Sequence, residues 1–386
     1  MGNAPDRERL SIAMIGTRGV PATWGGVERH VEELGVRLTD MGHSVTVFSR
    51  EWYAPEMDDY RGMRVVTVPT WERRGLEAAV HSFRSTFRAM RQHFDVVHYH
   101  AVGPGLATPL PRYLSRSAVV QTIHGLDGDR AKWSAPSQAI LRFGTYLSAR
   151  VPDTTVVVSR DLQRHYQEEF SRETVYIPNG VTLPVVPADA HALERWGLAP
   201  GCYLLYVGRL VPEKAPHLLV EAFAGIPTDL KLVLVGASSH TDDYADELAR
   251  QAAKDPRVVM AGAVFGDDLA TIYAHAAAFV LPSVLEGLPL TLLEAASHRL
   301  PLVVSSIPPH QEVAGTEGPG ARFAEPGSVP QLRAALELCL QDLPSERAGA
   351  QARSAEILSV YDWDRAAREL EQVYLRIAAT GPSGPR

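Results

Sequence analysis

The sequence predicts an α/β protein with two doubly wound, Rossmann-like domains that face a central cleft. Short apolar runs alternate with longer helical patterns along almost the whole chain, which is typical of βαβ units on a parallel sheet. A Pro-rich stretch interrupts this alternation near the middle, and the alternation then starts again. The length of 386 residues also suits two domains, because single domains commonly contain roughly 100–200 residues.

In the first half, apolar runs predict strands and amphipathic patterns predict the helices between them. The predicted strands are residues 10–15, 44–48, 63–68, 95–99, 118–123 and 154–158. The predicted helices are residues 26–41, 76–93, 137–149 and 161–170. These elements predict an N-terminal domain over residues 1–182, followed by a Pro-rich linker over residues 183–200.

The second half repeats the pattern and predicts a domain over residues 201–360. Its predicted strands are residues 202–207, 231–235, 257–260, 277–281 and 302–304. Its predicted helices are residues 215–224, 244–254, 267–275, 290–298, 329–340 and 346–359. A last helical segment over residues 361–386 is expected to return to the N-terminal domain.

Composition excludes several classes of protein. The net charge of −7 argues against a general nucleic-acid binder, so no nucleic-acid partner is expected. No N-terminal signal pattern and no run of about 18 apolar residues is present, which predicts a cytoplasmic protein. Cys202 and Cys339 lie in apolar segments and are expected to be buried, free thiols, as suits a reducing compartment.

The loop after the first strand is crowded with glycines and runs from Gly16 to Gly26. Its spacing is not G-x-G-x-x-G, which argues against an NAD-dependent dehydrogenase. Gly25 and Gly26 would let a phosphate approach the backbone at the start of the next helix. The alternative is a plain turn before a helix.

Histidines mark the ends of two neighbouring predicted strands. His98 and His100 end one strand, and His124 ends the next. A histidine there can orient or protonate a substrate oxygen, and we choose His124 for that role and leave His98 as a structural hydrogen-bonder. A metal site is not expected, because these positions offer no helix-borne ligand pair and no nearby cysteine cluster.

The loops of the second half carry cations and small residues. Arg209 and Lys214 follow its first strand and could neutralise a diphosphate, although Lys214 could instead pair with Glu213 in a solvated loop. Gly236 and Val264 lie in later strand-end loops, where exposed backbone groups can contact a base.

The segment from Pro282 to Ala295 is the most informative stretch. An apolar run precedes it, and a helical pattern begins near Pro289, so a strand, a tight loop and a helix start make a place for an anion. Glu286 and Glu294 flank that place, with seven residues between them. Because carboxylates repel phosphate and accept hydrogen bonds from hydroxyls, the pattern predicts a nucleotide-sugar site.

The helical pattern over residues 76–94 has two interpretations. Phe83, Phe87 and Met90 share one stripe, and arginines occupy the adjacent stripe. A crossover helix would bury the aromatic side chains on the sheet. Alternatively, the helix presents a basic surface to anionic lipid headgroups at the inner face of a membrane.

With these motifs, the sequence resembles GT-B glycosyltransferases of the large retaining family 4, over about residues 10–378. The segment PSVLEGLPLTLLEA carries most of the resemblance, supported by Gly208-Arg209, Lys214, Pro178-Asn179-Gly180 and His124-Gly125. Residues 16–28 and 124–133 resemble bacterial polysaccharide-assembly transferases, including rhamnosyltransferase-like members.

The resemblance implies sugar transfer from a nucleoside-diphosphate sugar to a hydroxyl on a glycan, a lipid-linked sugar or a small molecule. Retention, no metal and no cofactor beyond the donor are implied, with the acceptor on the N-terminal domain. The implied catalytic residues are His124, Arg209, Lys214 and Glu286. The implied donor-binding residues are Gly25, Gly26, Gly236, Val264, Gly287, Leu288 and Glu294. The implied acceptor residues are Arg18, Trp24, His100 and Asp127.

Two further functions fit the same fold. A nucleotide-sugar epimerase would bind the same donor without an acceptor. A non-catalytic partner subunit would bind the nucleotide alone, although Arg209, Lys214, Glu286 and Glu294 are all present.

Overall fold

The computed structural model describes residues 9–23, 25–53, 57–70, 77–126, 135–185, 190–238 and 242–380. The chain divides into two compact units. The first contains Met1–Asn179 and Trp363–Arg386, and the second contains Gly180–Asp362. Each is an α/β unit around a parallel sheet, which confirms the predicted fold class of two Rossmann-like domains.

The described residues of the first unit form an eight-stranded sheet in the order β3-β4-β2-β1-β5-β6-β7-β8. Its strands are β1 Ser11–Ile15, β2 Ser44–Arg50, β3 Asp59–Tyr60, β4 Met63–Val68, β5 Val96–His100, β6 Ala118–Ile123, β7 Thr154–Val157 and β8 Val175–Tyr176. Its first helices are α1 Gly26–Asp40, α2 Glu77–Gln92, α3 Pro109–Leu114, α4 Ala135–Arg150 and α5 Arg160–Phe170. Every pairing is parallel except that of β3 with β4.

The described residues of the second unit form a six-stranded parallel sheet in the order β11-β10-β9-β12-β13-β14. Its strands are β9 Tyr203–Val207, β10 Lys231–Val235, β11 Val258–Gly262, β12 Ala278–Leu281, β13 Leu302–Ser305 and β14 Ala321–Ala324. Its helices are α6 Pro216–Ala224, α7 Asp242–Ala252, α8 Gly266–His275, α9 Leu290–Ser297, α10 Pro308–Ala314, α11 Val329–Gln341 and α12 Leu343–Val360. The chain then ends with α13 Trp363–Thr380, which belongs to the first unit and packs on α1.

Some elements differ from the sequence predictions. The two-residue strand β3 was not predicted, because so short a segment has too few residues for a periodic signal, and the edge strand β14 was not predicted because Arg322 interrupts its apolar run. Part of the predicted linker, His191–Trp196, is a 3-10 helix. Cys202 is exposed in the turn before β9, so its predicted burial is wrong, whereas Cys339 is buried as expected.

The strand order reverses direction once within each sheet. In the first unit the order reverses between β1 and β5, and in the second it reverses between β9 and β12. Ligands of open α/β sheets bind outside the carboxyl ends of the strands at such a reversal. Strands β5, β6, β9, β12 and β13 are buried along their whole length, so the loops that leave them start from rigid supports.

Candidate active site

Lys214 and Glu286 meet at the strand reversal of the second unit. Lys214 ends a short 3-10 helix after β9, and Glu286 lies in the loop after β12. The Lys214 ammonium donates a hydrogen bond to Glu286 Oε1, and the two side chains are 13% and 8% exposed. The alternative that Lys214 pairs with Glu213 in a solvated loop is therefore wrong. Glu213 is instead buried, and its carbonyl accepts a hydrogen bond from Val284 N–H at 2.9 Å.

The Lys214 ammonium keeps Glu286 ionised. Burial by itself raises the pKa of Glu286, but the charge of Lys214 holds this pKa below its ordinary value. An ionised carboxylate accepts hydrogen bonds and cannot donate them. The arrangement therefore suits Glu286 to bind a sugar hydroxyl while Lys214 offers positive charge beside it.

Glu294 is held in position by Tyr273 on the neighbouring helix. Glu294 lies in the second turn of α9, and its Oε2 accepts a hydrogen bond from the Tyr273 hydroxyl at 3.1 Å. The Tyr273 ring stacks on His298 with a centroid distance of 5.3 Å. Burial and then the charge of Glu294 raise the pKa of Tyr273, so its hydroxyl remains a donor. A carboxylate oriented in this way can accept hydrogen bonds from vicinal hydroxyls.

The helix start between the two glutamates has the predicted geometry. Pro289 caps α9 with φ of −76°, and no side chain caps the helix. Gly287 and Leu288 precede it and are buried. Unpaired N–H groups at a helix start favour an anion, so this place between Glu286 and Glu294 suits a phosphate.

Arg209 and Gly236 lie in neighbouring strand-end loops. The Arg209 carbonyl accepts a hydrogen bond from the Tyr206 hydroxyl at 3.0 Å, which holds the loop against the sheet. Gly236 has φ of +154°, and a Cβ there would lie 1.9 Å from the Gly208 carbonyl oxygen, so only glycine fits. Val264 lies in the next loop and is 8% exposed.

His310 also faces this site but has no motif in the sequence. It lies in α10, and its Nδ1 contacts the Ser305 hydroxyl at 3.0 Å. Burial lowers its pKa to about 4, so the ring is neutral at pH 7. Among the described residues, His310 Nε2 has no hydrogen-bond partner. A buried ring nitrogen near Glu286 is suited to a bound sugar or phosphate oxygen.

In the first unit, the glycine-rich loop connects β1 to α1. Gly25 has φ of +110°, and a Cβ there would lie 1.9 Å from Glu28 Oε2. Glu28 Oε1 accepts a hydrogen bond from the Arg18 N–H at 3.0 Å, so the Glu28 carboxylate ties the loop to the helix. Gly26 is the first residue of α1. The predicted acceptor residues Trp24 and Asp127 lie outside the described residues.

Four histidines cluster near the carboxyl ends of β5 and β6, of which His30, His98 and His100 are buried and His124 is half-buried. His100 Nδ1 lies 3.4 Å from His124 Nε2, and His98 hydrogen-bonds Tyr374 at 2.6 Å and Thr122 at 2.7 Å. His98 is therefore a structural hydrogen-bonder. The fourth member, His30 on α1, was missed, because its helical position resembles an ordinary core position.

Burial controls the charge of the histidine cluster. It lowers the pKa of His30 to about 4, and it lowers the pKa values of His98, His100 and His124 well below the ordinary value. The rings are therefore neutral at pH 7. A neutral His124 is better suited to orient a hydroxyl than to protonate a substrate oxygen.

Two solved structures are similar to this chain over nearly its whole length. Sucrose-phosphate synthase from Thermosynechococcus elongatus has a TM-score of 0.82 at 21% identity, over 96% of this chain and 100% of that chain. An Anabaena protein in complex with UDP-glucose has a TM-score of 0.81 at 18% identity, over 96% of this chain and 100% of its own. Both show that the chain has their fold.

Sequence comparisons agree with the architecture. The model for glycosyltransferase family 4 matches residues 24–183, and the model for glycosyl transferases group 1 matches residues 200–355. An uncharacterized glycosyltransferase from Methanocaldococcus jannaschii is 26% identical over 384 residues, which cover 95% of this chain and 98% of the relative. These matches confirm the predicted resemblance, and the chain is a GT-B glycosyltransferase that belongs to family 4.

Proposed function

We propose that this glycosyltransferase uses a nucleoside-diphosphate sugar as donor and transfers the sugar with retention, without a metal ion on the diphosphate. The main support is the group formed by Lys214, Glu286 and Glu294 around the start of α9. It combines positive charge and the amide groups of a helix start with two carboxylates that can accept hydrogen bonds from hydroxyls. The Anabaena structural neighbour contains UDP-glucose, which supports a donor of this class.

In the proposed reaction, cleavage of the glycosidic bond transfers negative charge to the leaving phosphate. Lys214, Arg209 and the amide groups near Leu288 stabilise this charge more in the transition state than in the ground state. The acceptor hydroxyl attacks the anomeric carbon on the face that the phosphate leaves, and the leaving phosphate takes its proton. His124 orients that hydroxyl through its neutral ring. Family membership supports retention.

The donor site is tested with Glu294. Replacement of Glu294 by Ala removes a charged acceptor of ribose hydroxyls, and such hydrogen bonds contribute roughly 1.5–3 kcal/mol each. We therefore expect Kd for the preferred nucleotide to rise at least about tenfold. A thermal-shift screen across UDP, GDP, dTDP and ADP identifies that nucleotide, and calorimetric titration then measures Kd.

The matched control for this test is Glu247→Ala on α7, because Glu247 is 60% exposed. It should bind the nucleotide as the wild type does. Equal affinity of Glu294→Ala and wild type would contradict the donor assignment. If NMR shows that the donor is converted to an isomer in the absence of any acceptor, this result would instead support an epimerase.

We further propose that the acceptor is glycan or lipid-linked, and that α2 of the first unit contacts an anionic membrane surface. Helix α2 buries His81, Ser82, Ser85, Thr86 and Ala89, not its aromatic side chains. Phe83 and Phe87 are 38% and 51% exposed, so the interpretation that they are buried on the sheet is wrong. Aromatic side chains beside arginines suit the headgroup region of anionic lipids. In the part of the chain that the structure describes, no helix is both long and apolar enough to cross a bilayer.

Vesicle binding tests this contact. We expect the Phe83→Ser/Phe87→Ser variant to bind vesicles of phosphatidylglycerol and phosphatidylcholine at least about tenfold more weakly than the wild type, because each buried Phe contributes roughly 1.5–3 kcal/mol. Co-sedimentation measures the bound fraction. Phe265→Ser is the matched control, since Phe265 is 51% exposed in the second unit. Equal binding by all three proteins would contradict a contact through α2.

A further inference from the structure

We propose that His30, His100 and His124 form a binding site for a transition-metal ion of the Zn²⁺ class in the first unit. One ring nitrogen of each histidine lies within 4.8 Å of the corresponding nitrogens of the other two. The three residues come from α1, the end of β5 and the loop after β6. The sequence argued against a metal because these positions offered no helix-borne ligand pair and no nearby cysteine cluster, but His30 on α1 adds a third histidine to the two at the strand ends.

The hydrogen bond of His30 prepares its other ring nitrogen to bind a metal. His30 Nδ1 lies 2.8 Å from Asn179 Oδ1, and an amide oxygen only accepts, so Nδ1 carries the proton. The lone pair is then on Nε2, which is buried and has no hydrogen-bond partner among the described residues. A histidine that donates one N–H to a carbonyl and offers the other nitrogen is the usual form of a metal ligand.

His100 likewise has a ring nitrogen that is available to bind a metal. Its Nε2 is also buried and without a hydrogen-bond partner in the described part of the chain. A buried polar atom without a partner is costly, and coordination removes that cost for a nitrogen lone pair. His98 lies against His100, with ring centroids 4.1 Å apart, but Tyr374 and Thr122 occupy both of its nitrogens. His98 is therefore not a ligand.

The separations of the rings suit a small ion after modest adjustment. Zn–N bonds of about 2.0–2.1 Å place two ligands of a tetrahedral site about 3.3 Å apart. The ring nitrogens of the three histidines lie within 4.8 Å of one another, and the His30 and His124 ring centroids are 4.5 Å apart. Side-chain rotations that move the ring nitrogens by roughly 1.5 Å or less would bring them to the separation of zinc ligands.

The chemistry of the ligands selects the class of ion. Three neutral imidazoles favour Zn²⁺, Co²⁺, Ni²⁺ or Cu²⁺ over Mg²⁺ or Ca²⁺, which prefer oxygen ligands. Three protein ligands would leave a fourth tetrahedral position for water or another small ligand. This ion is separate from the donor diphosphate, which the second unit binds in the proposed function.

An ion at this site would also affect catalysis. Because the proposed function gives His124 the task of orienting the acceptor, a bound ion would compete with the acceptor for His124. That consequence rests on the proposed function, whereas metal binding does not. The test of the site therefore uses no substrate, and its failure leaves the glycosyltransferase assignment unaffected.

The test is a titration of tag-free, chelator-treated protein with Co²⁺. We expect the visible absorption of four- or five-coordinate Co²⁺ to saturate at one ion per chain and to disappear when Zn²⁺ is added. His30→Gln should lose this absorption. Asn179→Ala keeps all three ligands but removes the partner of His30, so it should weaken the affinity about 10–100-fold.

A matched control and a wild-type measurement complete the test. His310→Gln removes another buried histidine whose Nε2 has no partner among the described residues, and it should bind Co²⁺ as the wild type does. X-ray absorption at the Zn edge of the wild-type protein should show imidazole ligands, which requires no variant to fold. The proposal would be overturned if the wild-type protein did not bind one ion per chain, or if X-ray absorption showed no imidazole at the ion. It would also be overturned if His310→Gln lost Co²⁺ binding as fully as His30→Gln.

Discussion

Replacement of Lys214 by Ala is expected to lower kcat at least about tenfold, which corresponds to 1.4 kcal/mol or more of transition-state stabilisation. The ammonium of Lys214 lies beside Glu286 at the strand reversal of the second unit, close to the start of α9. Without this ammonium, the negative charge that develops on the leaving phosphate would be stabilised less. Initial rates of sugar transfer at saturating donor measure this effect.

A surface lysine of the same unit provides the control. Lys254 follows α7 and is exposed, so Lys254→Ala removes the same charge at a distance from the site. It should retain the wild-type kcat. Near-normal turnover by Lys214→Ala would contradict the role of Lys214 and weaken the whole donor-site assignment.

The second large effect concerns the stability of the second unit. Lys214→Met leaves Glu286 ionisable and mostly buried without its cationic partner. Removal of one partner of a buried ion pair costs about 3–5 kcal/mol, and the 13% exposure of Lys214 places the expected loss near the lower value. Hydrogen exchange of amides in β9 and β12, followed by mass spectrometry, measures the free energy of opening in this unit.

A double variant separates stability from catalysis. In Lys214→Met/Glu286→Gln the remaining side chain is neutral, so most of the lost stability should return because no unpaired charge remains buried. Transfer activity should not return, since both functional groups are gone. If the single and double variants are equally unstable, the Lys214–Glu286 pair does not stabilise the unit in this way.

The sequence predicted the central strands well for a physical reason. A parallel strand that is covered on both faces must be apolar at nearly every position, as in β9 and β12. Edge strands lack this requirement, and β14 was missed because Arg322 interrupts its apolar run. The short helices α3 and α10 were missed too, because six or seven residues show little periodicity.

The candidate site was predictable where its residues follow strands. Lys214 and Glu286 come from loops after neighbouring strands, and the carboxyl ends of parallel strands lie at one edge of a sheet. The residues of the candidate sites that lie on helices were not predicted. Tyr273, His310 and His30 lie on helices, where an inward-facing polar residue gives no signal of what it faces.

The sequence alone thus determined the fold class, the two Rossmann-like domains and the Glu286–Glu294 motif, because burial and strand order leave local patterns in the chain. Only the tertiary structure decided the partners of the charged and ring groups. It paired Lys214 with Glu286 instead of Glu213, turned Phe83 and Phe87 outward, and brought His30 to His100 and His124. Such contacts join residues far apart in sequence, and the packing of helices on the sheet, which no local pattern encodes, determines them.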